Sequence, residues 1–166
     1  MNDTTECVQN DCAESTNHET FVAAVRRFTE LAGCTTDRFN VRQTALYIGL
    51  QCEELGEKLE ACRLGLLAER LYAIGREFKE GEHDDRVNDA DRADMLDADV
   101  DLAWVTVGAA LSSGADVLGA MREVARANLD KFPGGVVTKD ANGKVVKPEG
   151  WRAPDITPFV CEGGDA

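Results

Sequence analysis

Apolar residues recur at three- and four-residue spacing through most of this chain, and each such run ends at a glycine or a proline. Phe21, Ala24, Val25, Phe28 and Leu31 make the first stripe, which Gly33 ends. Ala45, Ile48, Cys52, Leu55 and Leu59 make the second, over about Val41–Leu64, before Gly65. Leu67, Leu71, Ile74 and Phe78 make the third, over about Leu66–Lys79, closed by Gly81. Met95, Leu96, Leu102, Ala103, Val105 and Ala110 fill a fourth, over about Ala93–Ser112, and a fifth runs from about Val117 to Lys131 before Pro133. That period belongs to amphipathic helices, not strands. It predicts an all-α bundle of four or five helices. The fourth helix is apolar nearly all round in its C-terminal half, which is therefore expected at the centre of the core.

The ends of these helices carry their own signals. Thr16-Asn-His-Glu19 has the form of a capping box ahead of the first stripe. Asn40 and Asp116 stand where N-caps belong. Residues 1–15 are expected to be a disordered tail, and Glu82–Arg92, nearly devoid of apolar residues, an exposed loop. Past Pro133 the pattern changes. Val136-Val137-Thr138 and Lys144-Val145-Val146 flank Asn142-Gly143, a hairpin signal, and a Pro- and Trp-containing arm follows. The expected organisation is a tail (1–15), a helical domain (16–132) and a C-terminal β-hairpin and arm (133–166).

A chain of 166 residues is one domain's length and needs no disulfide or zinc to hold a core. Its 18 Lys and Arg against 31 Asp and Glu leave a net charge of −13. A general nucleic-acid binder needs a basic face, so nucleic acid is excluded as a partner, and an anionic membrane surface is disfavoured. No apolar run reaches the roughly 20 residues of a membrane span, and the polar, acidic N-terminus lacks signal-peptide character. A cytoplasmic protein with reduced thiols is expected. The six cysteines form no CxxC pair, and with two histidines they make a zinc site a poor reading. Cys52 and Cys62 read as small core residues.

Two acidic groups do not fit a simple solvated face. Glu53, Glu54 and Glu57 lie at i,i+3 and i,i+4 spacing on the second helix. Asp94, Asp97 and Asp101 share one face of the fourth, directly before its most apolar part. Like charges near a core are expensive unless a cation neutralises them. Hard oxygen donors from two facing helices suit Mg²⁺ or Mn²⁺. His18 and His83 fall outside these helices, which argues against a di-iron bundle. The plainer alternative is that acidic faces in so acidic a chain are merely solvated.

These residues carry a family resemblance. Glu53-Glu54-Leu-Gly-Glu57 followed by Asp97-Ala-Asp-Val-Asp101-Leu-Ala-Trp-Val-Thr-Val-Gly108 resembles the MazG-like all-α nucleoside triphosphate pyrophosphohydrolases, in their phosphoribosyl-ATP pyrophosphohydrolase-like branch. Arg122–Phe132 resembles that branch's next helix, and Asn142–Asp155 its C-terminal arm. Two departures stand out. The family's second motif is ExxD, but Ala98 stands three before Asp101, so Asp97 would replace the missing ligand. The stretch between the two motifs is also longer than usual.

The resemblance implies Mg²⁺-dependent hydrolysis between the α- and β-phosphates, giving a nucleoside monophosphate and diphosphate, with Mn²⁺ as a substitute. It implies Glu54, Glu57, Asp97 and Asp101 as metal ligands and Glu53 as the group that orients or deprotonates water, with the division between Glu53 and Glu54 open. Arg126, Asn128 and Lys131 match positions that contact phosphates. Lys144 and Lys147 would close over the polyphosphate. Trp151 would stack on the nucleotide or anchor the arm, and Asn40 would face the base. A similar phage-encoded group, MazZ, acts on dGTP or GTP, and pyrimidine-directed enzymes of the dUTP and dCTP type share the fold. The competing class is a non-enzymatic helical interaction protein. Apolar helix area in excess of one chain's needs leads us to expect a homodimer or homotetramer.

Overall fold

The computed structural model describes the backbone of residues 10–140 and 145–161, and side chains from Phe21 onward. Among these residues there are six α-helices, two 3-10 turns and no strand. The helices are α1 (Asn10–Leu31), α2 (Val41–Ala61), α3 (Gly65–Glu80), α4 (Asp84–Asp89), α5 (Arg92–Leu111) and α6 (Val117–Leu129). The all-α expectation holds. None of the helices is long and apolar enough to cross a membrane. The chain divides into two compact units, Asp37–Asp99 and Met1–Thr36 together with Val100–Ala166.

The Asp37–Asp99 unit is built on an α2–α3 hairpin. Asn40 caps α2 as expected, its side-chain oxygen accepting from the Gln43 amide at 3.1 Å. The two helices meet on their smallest residues: Ala45, Gly49 and Gly56 on α2, Ala68 and Gly75 on α3 are the buried positions. A Cβ on Gly49 would lie 2.7 Å from the Gly75 carbonyl oxygen, and one on Gly56 would strike the Tyr72 ring. Glycine inside a helix weakens it by about 1 kcal/mol relative to alanine. Here it permits a backbone approach that no other residue allows. α2 ends at Ala61, short of Leu64, because Arg63 takes a left-handed φ of 62° and turns the chain. Gly65 opens α3 instead of closing α2, and Gly81, at φ 89°, ends α3 as expected. Arg42 reaches back to the Phe78 carbonyl at 2.8 Å and to Asp84 at 3.3 Å, fastening the start of α2 to the end of α3.

The expected loop at 82–92 contains α4. Its one apolar side chain, Val87, is buried, and Asp84 in its first turn pairs with Arg42. Cys62 is exposed at the end of α2, not a core residue, whereas Cys52 is half-buried and its burial raises the thiol pKa.

In the second unit α1 packs with α6. Phe28 meets Phe132 edge-on at 5.2 Å, above buried Ala32, Ala127 and Thr29. Thr29 is satisfied by donating to the Val25 carbonyl. The helix begins at Asn10, so the capping-box sequence at 16–19 lies within it; residues 1–9 of the expected tail lie outside the described residues. Asp116 caps α6, accepting from the Gly119 amide at 2.9 Å. The C-terminal arm runs along α6: Trp151 donates its indole N–H to the Ala127 carbonyl at 2.6 Å, and the Asp116 amide donates to the Phe159 carbonyl at 2.9 Å. Of the expected hairpin, one isolated antiparallel bridge, Lys139 with Val145, is seen; its Asn142-Gly143 turn and Lys144 lie outside the described residues.

α5 departs most from expectation. Its C-terminal half was expected at the centre of the core, yet no residue of this helix is buried. Trp104 is 80% exposed and Leu96 65%. Met95, Val107 and Ala110 are half-buried and the other residues of the helix are exposed.

Candidate metal centre and cationic cluster

Four glutamates, 53, 54, 57 and 60, lie along α2, and the α2–α3 crossing decides how each is used. The close Gly49–Gly75 approach brings Lys79 of α3 over α2, where its ammonium pairs with the Glu53 carboxylate. Tyr72, held against Gly56, hydrogen-bonds Glu60. Burial first, then that bond and the charges of Glu60, Glu57 and Glu69, push the Tyr72 phenol up to about 12. The outer two carboxylates are thus engaged. Glu54 and Glu57 keep no hydrogen bond or ion pair among the described residues, and the Glu54 pKa is raised, by burial first and then by the charges of Glu57 and Glu53. The Glu54 carboxylate thus lies within reach of the Glu57 and Glu53 charges, on a stretch of α2 where Glu54 and Glu57 are exposed.

The aspartates of α5 stand differently. Within the Asp37–Asp99 unit, the α5 side chain that reaches α2 is Asp99, which accepts from the Gln51 side-chain amide at 3.1 Å. Asp97 lies two residues back, roughly 200° around the helix, and is exposed. Asp101 falls in the other unit and is exposed as well. Asp99 and Lys79 were missed from sequence. Asp99 sits off the face that Asp94, Asp97 and Asp101 share, and Lys79 acquires its partner only through the register of the glycine crossing. Among the described residues no three Asp, Glu, His or Cys side chains form a ready-made ligand cage.

The residues expected to bind phosphate are spread over α6 and the arm. Arg126 is committed elsewhere: it makes a two-pronged pair with Glu123, at 2.8 and 2.6 Å, and a third bond to Asp130 at 2.7 Å. A guanidinium with its prongs on two carboxylates has little left for an anion. Hydrogen bonding from Arg126, then from the Asp155 amide, lowers Glu123 to about 2. Asn128, Lys131, Lys147 and Trp151 do come together. Lys131 donates to Asn128 at 2.8 Å and lies 5.7 Å from the Trp151 ring centre, while Lys147 lies 4.4 Å from it. Trp151 itself is an anchor, fixed by its bond to Ala127. Asn40 spends its oxygen on capping α2.

Among its described residues the molecule is all-α, with glutamates 54 and 57 unpaired on α2 and a lysine–tryptophan cluster where the C-terminal arm meets the end of α6. No protein family, no curated protein and no solved structure matches it.

Proposed function

We propose that this chain is a Mg²⁺-dependent nucleoside triphosphate pyrophosphohydrolase of the MazG-like all-α kind, converting (d)NTP and water to (d)NMP and diphosphate. The observation that carries the reading is the selective pairing on α2. Glu53 pairs with Lys79 and Glu60 accepts from Tyr72, while Glu54, raised by burial and by the charges of Glu57 and Glu53, has no such partner among the described residues. The donor chemistry of Glu54 and Glu57 fits a hard divalent cation: adjacent carboxylates, with no thiol or imidazole among them. A ready-made cage is not required, because Mg²⁺ is commonly held by one or two carboxylates and completes its shell with water and substrate phosphate. Bound there, the cation would polarise phosphorus and lower the pKa of a water. In this reading Glu54 and Glu57 hold it, and Glu53, paired with Lys79, directs the attacking water; Asp97 and Asp101 are the second carboxylate pair by resemblance alone. Lys131, Lys147 and, by resemblance, Lys144 are the phosphate contacts, with Asn128 setting the position of Lys131. The base preference proposed is guanine, on the resemblance to the MazZ group, with a pyrimidine-directed enzyme as the alternative.

The test is hydrolysis of all standard NTPs and dNTPs with Mg²⁺ or Mn²⁺, with products identified. Monophosphate and diphosphate are expected, lost on chelation. Release of orthophosphate, or no turnover of any nucleotide, overturns the proposal. The second reading, a helical interaction protein, draws its support from the exposed apolar side chains of α5.

A further inference from the structure

We propose that Lys79 is a positioning residue that withholds Glu53 from the metal, and so decides which carboxylate of α2 directs water. The inference rests on the hydrolytic reading above and divides the labour within it. Gly49, Glu53, Gly56 and Glu60 follow one another on α2 at steps of four, three and four, and Ala68, Tyr72, Gly75 and Lys79 do the same on α3. That alternation is the 3.5-residue repeat of a helix–helix seam. The two rows run in opposite directions, so each glycine stands against a long side chain of the other helix. A Cβ on Gly49 would lie 2.8 Å from Cγ of Lys79, one on Gly56 2.5 Å from the Tyr72 ring, and one on Gly75 3.5 Å from Cγ of Glu53.

Gly49 and Gly56 thus let two donors of α3 lie flat across α2, and each donor ends on the glutamate four residues beyond its glycine. Lys79 reaches Glu53, and Tyr72 reaches Glu60. Glu54 and Glu57 lie about 100° and 40° around the helix from Glu53, off the seam, and are exposed. An ammonium on Glu53 has two consequences. It offsets the charge that would draw Glu53 to a cation as a third ligand. It also takes Oε1, while Oε2 makes no hydrogen bond among the described residues, which leaves one fixed acceptor for a water proton. The pair is half-buried, with 29% of the Lys79 and 33% of the Glu53 side chain exposed, so salt screens it less than a pair on the open surface. Glu54 has no such donor among the described residues and stays with Glu57 as a ligand. The choice between Glu53 and Glu54, which spacing on α2 leaves open, is made by α3.

Binding of Mn²⁺ by the full chain, followed by the electron paramagnetic resonance of the free ion, tests this without turnover. Glu53→Gln should leave the affinity within about threefold of wild type, because Glu53 is not a ligand. Lys79→Met keeps a stem over Gly49 but frees Glu53, and should tighten Mn²⁺ about fivefold or more. In the double variant that gain should vanish, leaving the affinity within about threefold of Glu53→Gln. An equal gain from Lys79→Met in both backgrounds would be a plain charge effect and overturns the proposal, as does a large loss of Mn²⁺ in Glu53→Gln alone. Turnover should move the other way: kcat of Lys79→Met falls about tenfold or more with nucleotide KM little changed, whereas a structural lesion weakens metal binding and rate together. If Lys79→Met does not fold, infrared difference spectra decide. The carboxylate bands that Mg²⁺ shifts in the wild type should all persist in Glu53→Gln, and loss of one overturns the proposal. A wild-type chain that binds no Mn²⁺ and turns over no nucleotide overturns the hydrolytic reading itself; one that does both, with Lys79→Met no tighter, overturns this inference alone.

Discussion

The α2–α3 hairpin and the α6 arm hold together by opposite means. In the hairpin, absent side chains do the work: Gly49, Gly56 and Gly75 let two backbones touch, and the charges above the crossing are left partly uncompensated. Along α6, large and charged side chains do it, and its main ionic group is paired: Glu123 with Arg126 and the Asp155 amide, Arg126 also with Asp130. Charges that satisfy one another are architecture. Charges that the fold leaves facing each other are where a cation or a reaction has something to gain.

The largest expected effect separates the two regions by function. Glu57→Gln should reduce nucleotide hydrolysis by about 10²-fold or more, the range for removing a catalytic charge, while melting in the absence of metal is unchanged or slightly higher. Glu123→Gln removes a charge of the same kind from α6 and should leave turnover of a saturating nucleotide within about threefold, because its partners are structural. Asp99→Asn, compared with Asp97→Asn under the same assay, sharpens the picture, since Asp99 is the aspartate that touches α2. Equal activity of Glu57→Gln and wild type would break the assignment.

Next in size is the hairpin's tolerance of a single methyl. Gly49→Ala puts a Cβ within 2.7 Å of the Gly75 carbonyl oxygen and 2.8 Å of the Lys79 stem. Forcing the helices apart should lower stability by about 1–3 kcal/mol in urea titration, despite alanine's better helix propensity. Gly65→Ala, at the start of α3 with nothing near it, is the control and should be neutral or stabilising. Loss of equal size at both positions would mean that helix propensity, not the crossing, governs.

What the sequence made legible follows the same division. Local rules worked: the stripes, the caps at Asn40 and Asp116 and the stop at Gly81 are all set within a few residues of chain. The three glutamates were legible as a group because i,i+3 and i,i+4 neighbours meet whatever else the chain does. Relations set by tertiary register were not legible. Lys79 pairs with Glu53 only through the α2–α3 crossing. Arg126 is the opposite case: Glu123 and Asp130 are its i,i+3 and i,i+4 neighbours, so that pairing follows the same spacing rule as the glutamates. The expected burial of α5 is not met, because apolar character marks a helix that would gain from cover without specifying what packs on it.

The arm offers a smaller test. Trp151→Phe keeps the ring between Lys131 and Lys147 but loses the N–H bond to the Ala127 carbonyl. The expected loss is about 1 kcal/mol, with faster proteolysis of the chain beyond Pro148. Stability and proteolysis equal to wild type would remove Trp151 from its anchoring role.

The smallest effect is in pH, and there the two regions oppose each other. Glu123 is held low in the fold, at about 2. Its contribution is complete above the unfolded carboxylate range near 4.5 and is lost as pH falls from there toward 2. Glu54 is raised in the fold, so its charged form is the strained one and the hairpin gains stability as pH falls into the range just above 4.5. Melting temperature should therefore rise slightly as pH falls from neutral toward the ordinary carboxylate range, then fall below about 4.5. Glu54→Gln should erase the rise and leave the fall, and Glu123→Gln should do the reverse. Mg²⁺ binding at Glu54 and Glu57 should also flatten the rise, because a cation removes the repulsion that acid otherwise relieves. A rise that survives in Glu54→Gln would show that the repulsion lies elsewhere on α2.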